Sequence, residues 1–515
     1  MESARRSNDG CFVSATTGFI LTFLAILLAV AAGVSVYLIR QPSHVTCHCN
    51  CSNDHHRKVV KAGENVPHTA ETQENATLTY KVECATQNCS TRNNSQSATT
   101  TTGREMNNSY RLPKSLSPVF YNLEIKPNIY EEDPKNFTFE GQVKIMMNCS
   151  KETTNVTLHI NQLKLLNDSI DIKGGSDCLH PRIGVMNYER DLERQFVIFH
   201  LSEALKPGCQ YNLTLNFTAP LTDSLSGLFY SSYQHSGSNR YLAATLFSPV
   251  YARTAFPCFD EPQLKARFAV TIVRKPNFTS LSNMDIIGTT DRPDGYVADE
   301  YNVSPLMSTY LVALVVSDYH QMTKYTKDGT KVRLWAPRGS LPHGELALDV
   351  AVKLMEFYAD HFEIPYPLPK LDFVSIPDYI VLGMENWGLI TFKETYLLYD
   401  PLYNSARNKK QIVTVIAHEI AHLWFGDLVT MCWWSELWLK EGFASYLEYI
   451  GVHHLFKEWR VWDYFVLFDL HLVLLPDSLG NTSPIVTQAE SPTEIQMAFS
   501  AIPYSKASMN ISLIL

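Results

Sequence analysis

The sequence predicts a multidomain protein: an N-terminal transmembrane helix, an all-β sandwich-like domain and then an α+β domain. Three observations predict it. Residues 11–39 carry no charge, apolar residues alternate at period two between about 113 and 315, and beyond Gly344 the apolar period lengthens to that of a helix. The chain's 515 residues suit two or three domains, and 45% hydrophobic against 18% charged residues can fill their cores. Lys+Arg 43 against Asp+Glu 52 leaves a net charge of −9, and no long basic run occurs, so no nucleic-acid partner is expected.

Taken in order, residues 1–10 form a short tip carrying Arg5 and Arg6. The 29 uncharged residues from Cys11 to Ile39 would span roughly 43 Å as a helix, more than a bilayer core needs. The apolar stretch of a cleaved signal peptide is only about 7–15 residues, so 11–39 reads as an uncleaved signal-anchor in the membrane. Arg40, Arg57 and Lys58 on the far side prevent charge from orienting it. Fifteen Asn-x-Ser/Thr acceptors decide the matter, all C-terminal to the run, among them Asn75, Asn148, Asn155, Asn212, Asn216, Asn277 and Asn302. They predict a single-pass type II glycoprotein of the plasma membrane, cytoplasmic at its tip and extracellular after Arg40.

Residues 40–112 are rich in Ser, Thr and Asn and poor in periodic apolar positions, which predicts a stalk. The cluster His44, Cys47, His48, Cys49 and Cys51 is too crowded for one tetrahedral metal centre and reads instead as stalk disulfides. Cys84 with Cys89, and Cys149 with Cys178 or Cys209, are candidate pairs that spacing does not choose between. A β domain is expected over 113–315, where Val119, Tyr121, Leu123 and Ile125 share one face, as do Val156, Leu158 and Ile160. The rest, 316–515, is mixed. Leu346, Val350, Leu354 and Phe357 line one predicted helix; Ile412, Val415, Ile416 and Ile420 line another, which Gly426 stops.

The second of these helices carries the chemistry. His418 and His422 are four residues apart, so both imidazoles leave one helical face and can share a metal ion. Glu419 lies beside them, free to take a proton from water. Catalytic zinc takes three protein ligands and keeps one position open, and Glu441, on a further helix predicted to begin near Trp433, supplies the third. With 17 His in 515 residues a chance HExxH is expected in only about a few per cent of such chains. Isolated histidines such as His453, His454 and His471 read as surface or packing residues. One Zn²⁺ per chain and a zinc hydrolase are therefore expected.

Upstream stands GMENWG, Gly383 to Gly388, and further upstream TAFPCFDEP, Thr254 to Pro262. With these motifs the chain, from about 113 to 506, resembles the gluzincin zinc aminopeptidases of the aminopeptidase N type. The resemblance implies a thermolysin-like catalytic domain and peptide substrates with a free N-terminus. It places Glu385 on the substrate α-amine, with Gly383, Met384 and Asn386 around the substrate. A carboxylate beside the cleft suits that task, since it pairs with an ammonium and measures one residue from the chain end. The resemblance also assigns Glu419 as general base and, through YSKAS, Tyr504 as the hydroxyl that stabilises the oxyanion.

Three departures stand out. Leu382-Gly383 replaces the family's Gly-Ala, Ser248 stands where a second amine anchor is usual, and the Gly expected after Lys506 is missing before a tail, NISLIL, unlike the family's. The last is read as C-terminal truncation, hence an incomplete catalytic domain. The expected function is a membrane-anchored zinc metallopeptidase removing N-terminal amino acids. Truncation and Ser248 support a rival, a catalytically silent surface glycoprotein binding peptides or proteins. An endopeptidase of the thermolysin type is opposed by Glu385. Self-association into a homodimer is left open.

Overall fold

Tyr121, Leu123 and Ile125 are fully buried while Asn122 is exposed, and this alternation makes the strand Leu116–Asn128. The computed structural model describes residues 109–166, 170–175, 178 and 182–514. The expected tip, the run 11–39, nearly all of the stalk, the cluster at 44–51 and the pair Cys84/Cys89 lie outside them. Among the described residues no helix is long and apolar enough to cross a membrane.

The first strand is central to an eight-stranded sheet, paired antiparallel with Thr138–Cys149 and parallel with Arg267–Arg274. Tyr121 sits in register with Phe268, and the two rings stack with centroids 4.7 Å apart. Val119 departs from the expected face. A bulge between Pro118 and Phe120 shifts the register there and leaves it half-buried. A three-stranded sheet, Thr153–His159, Phe196–Leu205 and Val185–Asp191, and a four-stranded one complete the β-rich part. Leu314–Ser317 belongs to the four-stranded sheet, and the next strand, His320–Tyr325, opens a different one.

The segment TAFPCFDEP has a structural part to play. Arg253 and Asp260 form a fully buried ion pair at 2.9 Å, Thr309 donates to Asp260 at 2.6 Å, and the Phe259 amide donates to the Tyr121 hydroxyl. Removing one partner of such a pair strands a charge in the interior. Cys149, Cys178 and Cys209 carry free thiols, so neither candidate bridge from Cys149 is made. Its Sγ lies 3.0 Å from the Lys151 carbonyl, and its side chain is buried, whereas Cys178 and Cys209 are half-buried.

A five-stranded sheet follows, in the order His320–Tyr325, Lys331–Ala336, Lys370–Ile376, Leu389–Lys393, Gly383–Met384, parallel in its middle and antiparallel at both edges. Three long helices accompany it: α1 (Glu345–Phe362), α2 (Ala406–His422) and α3 (Trp438–Leu455). Helix α2 starts at a capping box formed by Ser405 and Asn408. The apolar face of α1 is broader than the expected stripe, with Ala347, Ala351, Met355 and Tyr358 also buried and Phe357 at its margin. It is broad because α1 meets both α2 and α3. The Tyr358 hydroxyl reaches the Leu447 carbonyl of α3 at 2.9 Å and the Ala417 carbonyl of α2 at 3.3 Å. Gly451 makes room for it, since a Cβ there would lie 2.9 Å from Leu354 and collide with the hydroxyl.

Tyr358→Phe should therefore lower the unfolding free energy by about 1–2 kcal/mol, because two buried carbonyls lose a donor while the ring remains. A urea melt checks this, and an unchanged midpoint would mean the hydroxyl does not tie the helices.

Candidate active site

The final turns of α2 put His418 and His422 on one face, with their ring centroids 4.6 Å apart. Each ring is fixed from behind. His418 Nδ1 lies 2.9 Å from Glu448 Oε2, and His422 Nδ1 donates to the Phe425 carbonyl at 2.9 Å. Phe425 can turn back this far because Gly426 follows at φ 153°, where a Cβ would come within 3.2 Å of His422 Nδ1. With both Nδ1 atoms occupied, the two Nε2 atoms are left to face outward together, as metal-binding imidazoles require.

Glu441, in the first turn of α3, completes a triangle. Its Oε2 stands 3.3 Å from His418 Nε2 and 3.2 Å from His422 Nε2, and the two nitrogens are 3.0 Å apart. Zinc with ligands at about 2.0–2.1 Å in tetrahedral geometry separates them by about 3.3 Å, so the donor set fits that ion. Glu441 Oε2 is also buried and accepts no hydrogen bond, despite its two nitrogen neighbours. A cation satisfies such an atom where no donor does.

Glu419 is 5% exposed, and its Oε2 likewise has no donor. Burial pushes its carboxyl up to about 8, with His418 pulling it down and Glu385 and Glu441 adding to the rise. Gly383 explains how it fits. A Cβ at that position would lie 2.6 Å from Glu419 Cδ, so Gly383 leaves room for the carboxylate where it stands.

The loop carrying Glu385 is fastened from the β-rich part. Asn283 Nδ2 donates to the Trp387 carbonyl at 2.9 Å, and Lys370 Nζ donates to the carbonyls of Ser282 at 2.6 Å and Gly388 at 2.8 Å. Gly388 takes φ +87° and sits against the Asn283 carbonyl too closely for any side chain. Within the loop Asn386 Nδ2 holds the Leu389 carbonyl and Thr391 Oγ1, and Met384 is buried in the short edge strand. Glu385 itself is 3% exposed, and its Oε1 receives Lys440 Nζ at 2.6 Å. The same ammonium lies 2.7 Å from Glu441 Oε1. Burial opposes the charge on Lys440, but Glu385 and Glu441 outweigh it and keep the ammonium protonated.

Tyr504 joins from the other side, its ring stacked on that of His418 with centroids 6.2 Å apart. It occupies a π-helical turn, Ile502–Lys506, that leads into the helix Ala507–Ile514. Gly442 admits this helix, because a Cβ there would meet Ala507 Cβ at 2.6 Å. Ser248 is buried beyond the strand Ser238–Leu246. His454 packs on Phe357 with ring centroids 4.1 Å apart and stays outside the cluster.

The structure thus brings together His418, His422, Glu441, Glu419 and Tyr504, and ties Glu385 to Glu441 through Lys440. Sequence reasoning missed Lys440 and Glu448. Glu448 had a usable signal, lying seven residues after Glu441 and so on the same face of one helix. Lys440 stood out as a charge amid the apolar residues of LWLKEGFA.

Comparison with known proteins identifies the family. The description "Peptidase M1 N-terminal domain" matches residues 117–311, and "Peptidase family M1 domain" matches 346–514. Aminopeptidase N of Homo sapiens is 36% identical over 453 residues, which cover 86% of this chain and 46% of that protein. Endoplasmic reticulum aminopeptidase 1 of Mus musculus is 37% identical over 79% of this chain and 43% of its own length. Endoplasmic reticulum aminopeptidase 2 of Homo sapiens is 39% identical over 78% and 42%. The chain spans less than half the length of these relatives.

Because Glu448 orients His418, Glu448→Ala should weaken zinc binding by about 10–100-fold without abolishing it. His422→Ala should lose the ion, since only two ligands remain. Competition with a chromogenic chelator measures both; wild-type affinity in His422→Ala would contradict the ligand set, and in Glu448→Ala the orienting role of Glu448.

Proposed function

The chain belongs to peptidase family M1, and from that premise we propose that it is a zinc metallopeptidase that removes N-terminal amino acids from peptides. The observation that carries the reading is the triangle of His418, His422 and Glu441 with the buried carboxylate of Glu385 one lysine away. A hydrolase needs the first; recognition of a free chain end needs the second. We further propose one zinc per chain, anchoring at the plasma membrane through residues 11–39, and an extracellular, glycosylated catalytic region, as the sequons and the uncharged run support.

His418, His422 and Glu441 would hold the ion, which supplies Lewis-acid polarisation of the scissile carbonyl and a more acidic water. Glu385 accepts the substrate's α-ammonium and sets the register at one residue, with Gly383, Met384 and Asn386 forming the adjoining wall. Glu419 takes a proton from the attacking water and returns it to the departing amine. Its raised affinity for protons suits the second half of that cycle, and a nearby divalent charge would bring it down for the first. The Tyr504 hydroxyl, held protonated by burial and by Glu441, donates a hydrogen bond to the developing oxyanion.

The test is hydrolysis of an aminoacyl fluorophore beside its N-acetylated counterpart. Glu419→Gln should keep the metal and lose about 10²–10⁴-fold in rate, and more than a tenth of wild-type activity would refute its role. Glu385→Ala should weaken free-amine ligands by about 1.5–3 kcal/mol and leave N-blocked ones alone. Binding of peptides without any turnover would favour the silent glycoprotein instead, and cleavage of N-blocked peptides an endopeptidase.

A further inference from the structure

Lys440 is a buried primary ammonium pressed against the carboxylate that faces a substrate's own primary ammonium. Its Nζ lies 2.6 Å from Glu385 Oε1 and 2.7 Å from Glu441 Oε1, and the side chains of all three residues are 3–4% exposed. The rings of Tyr310 and Phe499 stand 5.7 and 6.0 Å from the same nitrogen, so little water can dilute its charge. None of the steps assigned to Glu419, Tyr504 or the metal ligands uses this group.

We propose that Lys440 is a positioning residue whose ammonium competes with the substrate's α-amine for Glu385 and so sets how strongly the site prefers free amines. The inference rests on the reading of Glu385 as the amine anchor. An α-ammonium and the lysine ammonium are the same chemical group, each with donors only, and two of them at one carboxylate repel. An incoming amine must therefore take the remaining Glu385 oxygen against that repulsion, or push Lys440 wholly onto Glu441. Either route lowers affinity for the bare chain end. The penalty falls on the amine alone, so it cancels between ligands that differ only in their first side chain and shows instead as a smaller preference for free over N-blocked chain ends.

Calorimetry on the full, zinc-loaded chain tests this with leucinol and alaninol, free amines that lack a scissile bond, and with their N-acetyl forms. Lys440→Met should bind both free amines about tenfold or more tightly, by a similar factor for leucinol and alaninol, and leave the N-acetyl forms unchanged. Lys440→Arg, which keeps the charge, should stay near wild type. General damage to the site cannot mimic a gain confined to free amines. If Lys440→Met does not fold, Lys440→Gln removes the same charge, and failure of both to fold would make Lys440 structural and overturn the proposal. Unchanged or weakened free-amine binding in a folded variant also overturns it. Glu385→Ala separates the two levels. If wild type prefers free amines and Glu385→Ala abolishes that preference, a flat Lys440→Met result sinks this inference alone. If wild type has no such preference, or Glu385→Ala leaves it intact, the amine-anchor reading falls, and this inference with it.

Discussion

A carboxylate with 3% of its surface exposed cannot carry charge in a protein interior without cations or donors around it, and Glu441 is such a group. Its two oxygens divide the task. Oε1 receives the Lys440 ammonium, while Oε2 looks at two imidazole nitrogens and no hydrogen. Its place in the first turn of α3 adds the favourable field of a helix start. Held in this way, the carboxylate keeps one lone-pair face open for a divalent ion, and most of the surrounding architecture serves to meet that condition.

The two halves of the described fold contribute differently. The helices bring His418, His422 and Glu441 together: Tyr358 ties α1 to α2 and α3, and Gly442 lets the last helix close in with Tyr504. The β-rich part supplies the fastening for the loop that carries Glu385. Asn283, from just beyond the strand Thr279–Ser282, grips the Trp387 carbonyl, while Lys370 bridges Ser282 and Gly388. Tyr310 also crosses over, its hydroxyl donating to the Gly426 carbonyl at the turn that orients His422. Damage in the β-rich part can thus reach Glu385 and His422 without touching either.

Much of the arrangement was legible because it depends on local periodicity. A four-residue spacing on a helix puts His418 and His422 on one face whatever the rest of the chain does, and period-two alternation marks Leu116–Asn128 as a strand. What escaped depends on partners distant in sequence. Val119 leaves its face because of a bulge against Thr138–Cys149, and the buried face of α1 widens because two helices pack on it. Lys440 gains meaning only when Glu385, 55 residues earlier, arrives beside it. TAFPCFDEP was recognisable as a motif, yet its work in locking Arg253 to Asp260 is visible only in three dimensions. The free thiol of Cys149 shows the same limit, since which way a side chain points was not written in its spacing.

X-ray absorption at the zinc edge, on the full chain loaded with one equivalent of zinc, tests the central claim most directly. Two imidazole nitrogens and one carboxylate oxygen at about 2.0–2.1 Å, with one further light ligand and no sulfur, is the expected shell. Substituting Glu441 should remove the oxygen contribution and leave the imidazole signature weakened. A shell containing sulfur at about 2.3 Å, or an all-oxygen shell without imidazole, would contradict the account, because the ion would then lie elsewhere than between His418, His422 and Glu441.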